Sequence, residues 1–125
     1  MYLVEDTFSE DEMKVVESKH PRWRDYLSYD SPLRAMSKGS VFVRIVVAKG
    51  ENRSVIVSRY IEVDNIKGVG IIAHVRSGKE LPMSKIVKSL GYDQKMLSKR
   101  KEFDTYDIAI LRREFGNIIP KSLPR

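Results

Sequence analysis

The sequence predicts an α+β fold for this chain of 125 residues. Two β-branched segments, 41–48 and 54–63, are joined by a short connection containing glycine, which is typical of an antiparallel hairpin. Apolar residues recur with helical spacing between 83 and 97. A capping box, Ser9 followed by Glu12, marks the start of a helix near the N-terminus. We therefore expect an antiparallel sheet flanked by short helices.

The N-terminal elements are predicted from two prolines and the capping box. A first short helix is expected over 9–19, because Pro21 disfavours the helical conformation of the residue before it. A second is expected over 21–29, with Pro21 at its first position.

The predicted sheet is built on the hairpin, which spans about 41–63. A third strand is expected over about 71–76, after Gly68 and Gly70, which permit a tight bend. Alternation along the second hairpin strand predicts one face in the core and the other, including Tyr60, in solvent.

A pair of helices is predicted over about 83–102. Gly91 supplies a left-handed stop between them and Asp93 caps the second start. The apolar side chains expected to point inward are Met83, Ile86, Val87, Leu90, Met96 and Leu97.

The last element is predicted to be a strand over about 105–112, from a loose alternation of apolar residues. The spacing of Phe103, Tyr106 and Ile110 also suits a helix. We expect one domain over 1–125, with flexible ends at 1–8 and 116–125.

Charge is unevenly distributed along the chain, whose formal net charge is +6. Residues 1–40 hold six Lys and Arg against eight Asp and Glu, whereas residues 76–101 hold eight against two. Such a basic concentration favours a polyanionic partner, because each neutralised phosphate releases condensed counterions. A lysine-rich solvated surface is the other interpretation of the same residues.

Residues 83–102 resemble a helix-turn-helix, in which a supporting helix positions a second helix in the DNA major groove. The shared features are Ile86, Leu90, Gly91 and Leu97. Two positions depart from the pattern, since Val87 stands where a small residue is usual and Arg100 where an apolar residue is usual. Two amphipathic helices packed on the sheet are the alternative. The residues expected to meet nucleic acid are Arg76, Lys79, Lys85, Lys88, Gln94, Lys95, Ser98, Lys99, Arg100 and Lys101.

Enzyme signatures are few. The chain has no cysteine and two histidines, without metal-ligand spacing, so we expect neither a metal nor a cofactor. There is no nucleophile elbow and no P-loop, and Gly68 and Gly70 lack the third glycine of a dinucleotide site. His74, near Arg76 and Lys79, is the one candidate acid or base, for a metal-independent ribonuclease.

Three functions follow from these patterns. The first is a non-enzymatic nucleic-acid-binding protein, such as a small DNA-binding regulator, with DNA or RNA as partner. The second is a protein-interaction or self-assembling module whose acidic and basic parts attract each other. The third is the ribonuclease. The apolar runs are too short to span a bilayer and the N-terminus is acidic, so we expect an intracellular protein, cytoplasmic or nucleoid-associated, without a membrane partner.

Overall fold

The computed structural model describes residues 1–5, 10–19, 25–29, 33–47, 53–99 and 102–121, and it confirms the α+β class. The strands are β1 (Leu3–Glu5), β2 (Tyr26–Ser28), β3 (Val41–Val47), β4 (Arg53–Ile66) and β5 (Gly70–Pro82). The α-helices are α1 (Glu10–Lys19), α2 (Met83–Leu90), α3 (Gln94–Lys99) and α4 (Thr105–Phe115). Two short 3-10 helices cover Leu33–Ala35 and Gly116–Ile118.

The five strands form one mixed sheet in the order β1-β3-β4-β5-β2. The predicted hairpin is confirmed, because β3 and β4 pair antiparallel, with Val43 opposite Val57. The expectation of a purely antiparallel sheet is wrong at one edge, where β1 pairs parallel with β3. Sequence patterns of three residues carry no information on strand direction, so the sequence did not reveal this pairing.

A long second hairpin joins β4 to β5 through the turn at Lys67–Val69. Gly68 and Gly70 have φ of 95° and 104°, positive values that glycine adopts more easily than other residues. They permit the tight bend that the sequence predicted. The third strand extends well past the predicted 71–76. Its later residues still pair with β4, Leu81 lying opposite Val55, and the strand continues directly into α2.

Both faces of the sheet are covered near its centre. On one face, Val55 and Val57 pack beneath α2, α3 and α4. On the other face, Tyr60 is only 3% exposed and packs with Leu27 and Leu33. The prediction of a solvent-facing side for β4 is therefore wrong along this stretch, because β2 and the 3-10 helix that follows it cover that side.

A buried arginine shows that the sheet curls. Arg44 on β3 is 0% exposed, and its guanidinium donates to the carbonyl of Tyr26 on β2 at 2.8 Å. Two strands separate β3 from β2, which places them about 14 Å apart in a flat sheet. An arginine side chain does not extend that far, so the sheet must bend around Arg44. The same bend brings Val4 of β1 and Leu27 of β2, from opposite edges of the sheet, into one apolar cluster.

The predicted final strand over 105–112 is wrong, because this segment is α4. Asp104 caps the helix by accepting the backbone N–H of Asp107 at 2.9 Å. The buried residues fall on one helical face, and they are Asp107, Ile110, Leu111 and Phe115. The apolar residues that seemed to alternate belong to this buried face and to its borders.

The first predicted helix is confirmed as α1, while its proposed cap Ser9 lies outside the described residues. The second predicted helix, over 21–29, is wrong at 26–28. Tyr26–Ser28 forms a strand, in which Leu27 is buried and its two neighbours are half-buried, the period of two expected for β structure.

Within the ends predicted to be flexible, Leu3–Glu5 forms β1 and Ile119 is buried. No helix in the described part of the chain has the length and apolar character that a membrane span requires.

Candidate nucleic-acid interface

The helical pair begins with α2, which packs on the sheet through Met83, Ile86 and Leu90. Burying each of these side chains contributes about 1.5–3 kcal/mol of hydrophobic stabilisation. Gly91 ends the helix with φ of 76°, and its N–H donates to the carbonyl of Val87 at 2.9 Å. The predicted left-handed stop is therefore confirmed.

Three residues separate α2 from α3, a turn length that matches the helix-turn-helix motif. Asp93 accepts the backbone N–H of Met96 at 2.7 Å and so caps α3, as predicted. Leu97 is buried, but Met96 is 53% exposed, so its predicted inward orientation is wrong. Adjacent residues on a helix diverge by about 100°, so Met96 points away from the side on which Leu97 is buried.

A polar contact fixes the turn to α4. The hydroxyl of Tyr92 lies 2.9 Å and 2.8 Å from the two carboxylate oxygens of Asp107, and it donates to this carboxylate. Asp107 is 2% exposed and begins the buried face of α4. The sequence pattern did not single out this pair, because Tyr92 and Asp107 are fifteen positions apart.

The structure places five of the predicted site residues on three consecutive elements. Each of these side chains is exposed, and they are Arg76 and Lys79 on β5, Lys85 and Lys88 on α2, and Lys95 on α3. Lys85 Nζ lies 3.7 Å from Glu114 Oε2 on α4, so this cation is partly compensated. Gln94, Ser98 and Lys99 lie on α3. Arg100 and Lys101 lie outside the described residues. The pair does not remain helical to 102, since Glu102 forms a β-bridge with Tyr2.

The acidic helix α1 lies at the other end of β5. Val16 of α1 packs with Ile66 and Ile72 beside the β4–β5 turn. An extended strand rises about 3.3 Å per residue, so the ten residues from Ile72 to Pro82 span roughly 33 Å before α2 begins. Val16 of α1 and the start of α2 therefore lie near opposite ends of β5.

Sequence reasoning missed Arg59, which lies directly opposite Arg76 in the β4–β5 register. Arg59 is half-buried and Arg76 is exposed. The sequence did show Arg59 interrupting an apolar face of β4. The pairing of Arg59 with Arg76 depends on the strand register, which a bulge between Tyr60 and Glu62 shifts. The pairing is therefore visible only in the structure.

His74 lies on the same face of β5 as Arg76, in the next row. Its ring stacks on Tyr26 with centroids 5.2 Å apart, and its Nδ1 is 3.7 Å from Oε1 of Glu62. Burial raises the pKa of Tyr26, and the charges of Asp64, Asp25 and Glu62 add to the effect. Among the described residues, His, Asp and Glu form no group of three able to hold a metal ion.

No protein-family model, no curated protein and no solved structure matches this chain.

Proposed function

We propose that this chain is a non-enzymatic nucleic-acid-binding protein that contacts phosphates through β5, α2 and α3. The observation that supports this most directly is the spatial separation of charge. Exposed cations occupy three consecutive elements, while acidic α1 packs at the far end of the same strand. Because α1 packs beside the β4–β5 turn and α2 begins at the other end of β5, this arrangement supports the proposal that the cations of α2 and α3 are available to a partner.

The proposed contacts differ in what they can read. Arg76, Lys79 and Lys88 would hold the phosphate backbone, which gives affinity but no sequence information. Gln94 and Lys95 lie in the first turn of the second helix, from which side chains reach base edges in helix-turn-helix proteins. A small cytoplasmic DNA-binding regulator is the specific form of the proposal, and RNA is the other polyanion that fits.

The test is binding of fluorescent duplex and single-stranded oligonucleotides by the wild type and by matched lysine variants. We expect Lys88→Ala and Lys95→Ala each to weaken binding severalfold, because each removes an exposed cation from the proposed surface. Lys14→Ala is the control, since Lys14 is an exposed lysine on α1. Equal losses in all three variants, or no binding at low salt, would contradict the proposal.

Self-association is the second candidate, and a group of exposed apolar side chains on the β4–β5 hairpin favours it. Ile71 is 61% exposed, and Ile61 and Val63 on β4 are also exposed. Analytical ultracentrifugation of the wild type and of Ile71→Ser tests this candidate. A concentration-dependent dimer that the substitution weakens would support it, whereas a monomer at all concentrations would exclude it.

A further inference from the structure

Two arginines face each other across β4 and β5, on the sheet face that the helices cover. Arg59 and Arg76 are direct partners in the antiparallel register. Side chains two residues apart on a strand share a face, so Arg59 lies on the same face as buried Val57, and Arg76 on the same face as Gly78. The strand pairing therefore places the two arginine side chains next to each other on this face.

This arrangement is unfavourable without a counter-charge. Like charges directly opposite each other destabilise an antiparallel pair. Within the described part of the chain, neither Arg59 nor Arg76 forms an ion pair with a carboxylate. Glu62, in the neighbouring row of the same face, lies beside His74 instead. The fold thus holds two cations together where an anion would relieve their repulsion.

The surroundings limit the size of that anion. On one side of the pair, Ile118 packs on Gly78, where an added Cβ would lie 3.0 Å from its Cδ1 atom. On the other side, the row formed by Glu62, His74 and Tyr26 crosses three strands. Glu62 would repel an anion that extended in its direction. These neighbours favour a compact, multiply charged anion at the arginine pair.

We propose that Arg59 and Arg76 form a phosphate-binding subsite on β4 and β5. Guanidinium groups present planar forks of N–H donors that match the oxygen spacing of phosphate, and two forks can hold one phosphate from two directions. The ligand is a phosphate group, either within a nucleic-acid backbone or free in solution. The subsite goes beyond the proposed function, because it requires Arg59 and can be tested with inorganic phosphate alone.

The experiment measures thermal unfolding of the full chain in sodium phosphate and in sodium chloride of equal ionic strength. A ligand that binds only the folded state raises the unfolding midpoint. We expect phosphate to stabilise the wild type, and we expect Arg59→Gln and Arg76→Gln each to weaken phosphate binding about tenfold or more. Arg113→Gln is the matched control, since Arg113 is an exposed arginine on α4. Equal phosphate stabilisation of the wild type and both subsite variants would overturn the proposal.

A charge reversal provides a second readout that a purely structural role would not produce. Arg76→Glu converts the like-charge pair into an opposite-charge pair, so in chloride we expect a higher unfolding midpoint than that of the wild type. The same variant should lose its response to phosphate. A variant that keeps the phosphate response contradicts the subsite.

Oligonucleotide binding distinguishes the two sources of phosphate. If Arg59→Gln weakens binding of both inorganic phosphate and oligonucleotide, the subsite holds a backbone phosphate. If it weakens phosphate binding alone, the subsite holds a free phosphate or a small phosphorylated molecule. The phosphate measurement stands even if the wild type binds no oligonucleotide, so failure of the nucleic-acid proposal and failure of the subsite are separate results.

Discussion

Asp107 connects two parts of the helical layer through its side chain and its backbone N–H. It is buried, it receives the Tyr92 hydroxyl, and its N–H donates to the cap residue Asp104. The contact joins the α2–α3 turn to the first turn of α4. This hydrogen bond therefore links the turn between the proposed binding helices to α4, in addition to the hydrogen bond from Ser89 Oγ on α2 to Glu114 Oε1 at 3.0 Å.

Tyr92→Phe should lower the free energy of unfolding by about 1–3 kcal/mol, because a buried carboxylate loses a hydrogen-bond donor. Urea unfolding followed by circular dichroism measures this change. Tyr106→Phe is the control, since Tyr106 is 74% exposed on α4 and its substitution should change stability little. Similar effects of the two substitutions would show that the Tyr92 contact contributes nothing.

Tyr60 gives the fold a dependence on alkaline pH. Burial, together with the neighbouring Tyr29 hydroxyl, raises the pKa of Tyr60 to about 12, above its ordinary value of 10.0. The folded state therefore keeps this proton at pH values where the unfolded chain has lost it. The contribution of Tyr60 to stability is fully present below pH 10 and declines as the pH rises towards 12.

Urea unfolding at several pH values tests this sign. Between pH 10 and 12, we expect the free energy of unfolding to fall less in Tyr60→Phe than in the wild type. The variant has no proton to lose at this position. An identical pH dependence of the wild type and the variant would show that Tyr60 does not titrate with the expected shift.

Residues with a local conformational role were the ones that the sequence predicted correctly. Gly91, Asp93 and Leu97 act through backbone geometry, capping and helical spacing, all of which depend on neighbours within a few positions. Tyr60 was misjudged and Arg59 was missed because their surroundings come from β5 and β2, far along the chain.

At the scale of elements, α4 shows how a short amphipathic pattern misleads. Apolar residues alternated loosely over 105–112, and nothing in the pattern alone decided between strand and helix. The cap at Asp104 decides it, together with the buried face that packs against α2. Strand β1 could not be predicted at all, since three residues stabilised by a distant parallel partner leave no periodicity.

Asp104→Ala should therefore lower the free energy of unfolding by about 1 kcal/mol, the usual contribution of an N-cap. Thr105→Ala, one position inside the helix, is the control, because Thr105 is exposed and provides no cap. Circular dichroism and urea unfolding measure both variants. If Thr105→Ala were the more damaging of the two, the capping role of Asp104 would be refuted.

The whole molecule is arranged along the β4–β5 hairpin. Acidic α1 lies by the turn, and the helical pair begins at the other end of β5. The sequence indicated the opposite charges of the two halves, and the fold places acidic α1 by the turn and the start of α2 at the other end of β5. The register of a long hairpin, which no local pattern encodes, creates this separation.

The most direct test of the nucleic-acid proposal is the dependence of oligonucleotide affinity on salt. If β5, α2 and α3 bind phosphates, the logarithm of the association constant should fall linearly with the logarithm of the salt concentration, with a slope of about −0.9 per phosphate neutralised on duplex DNA. Lys88→Ala should make that slope shallower by about one contact. An affinity that does not change with salt, or a slope that Lys88→Ala leaves unaltered, would contradict the account.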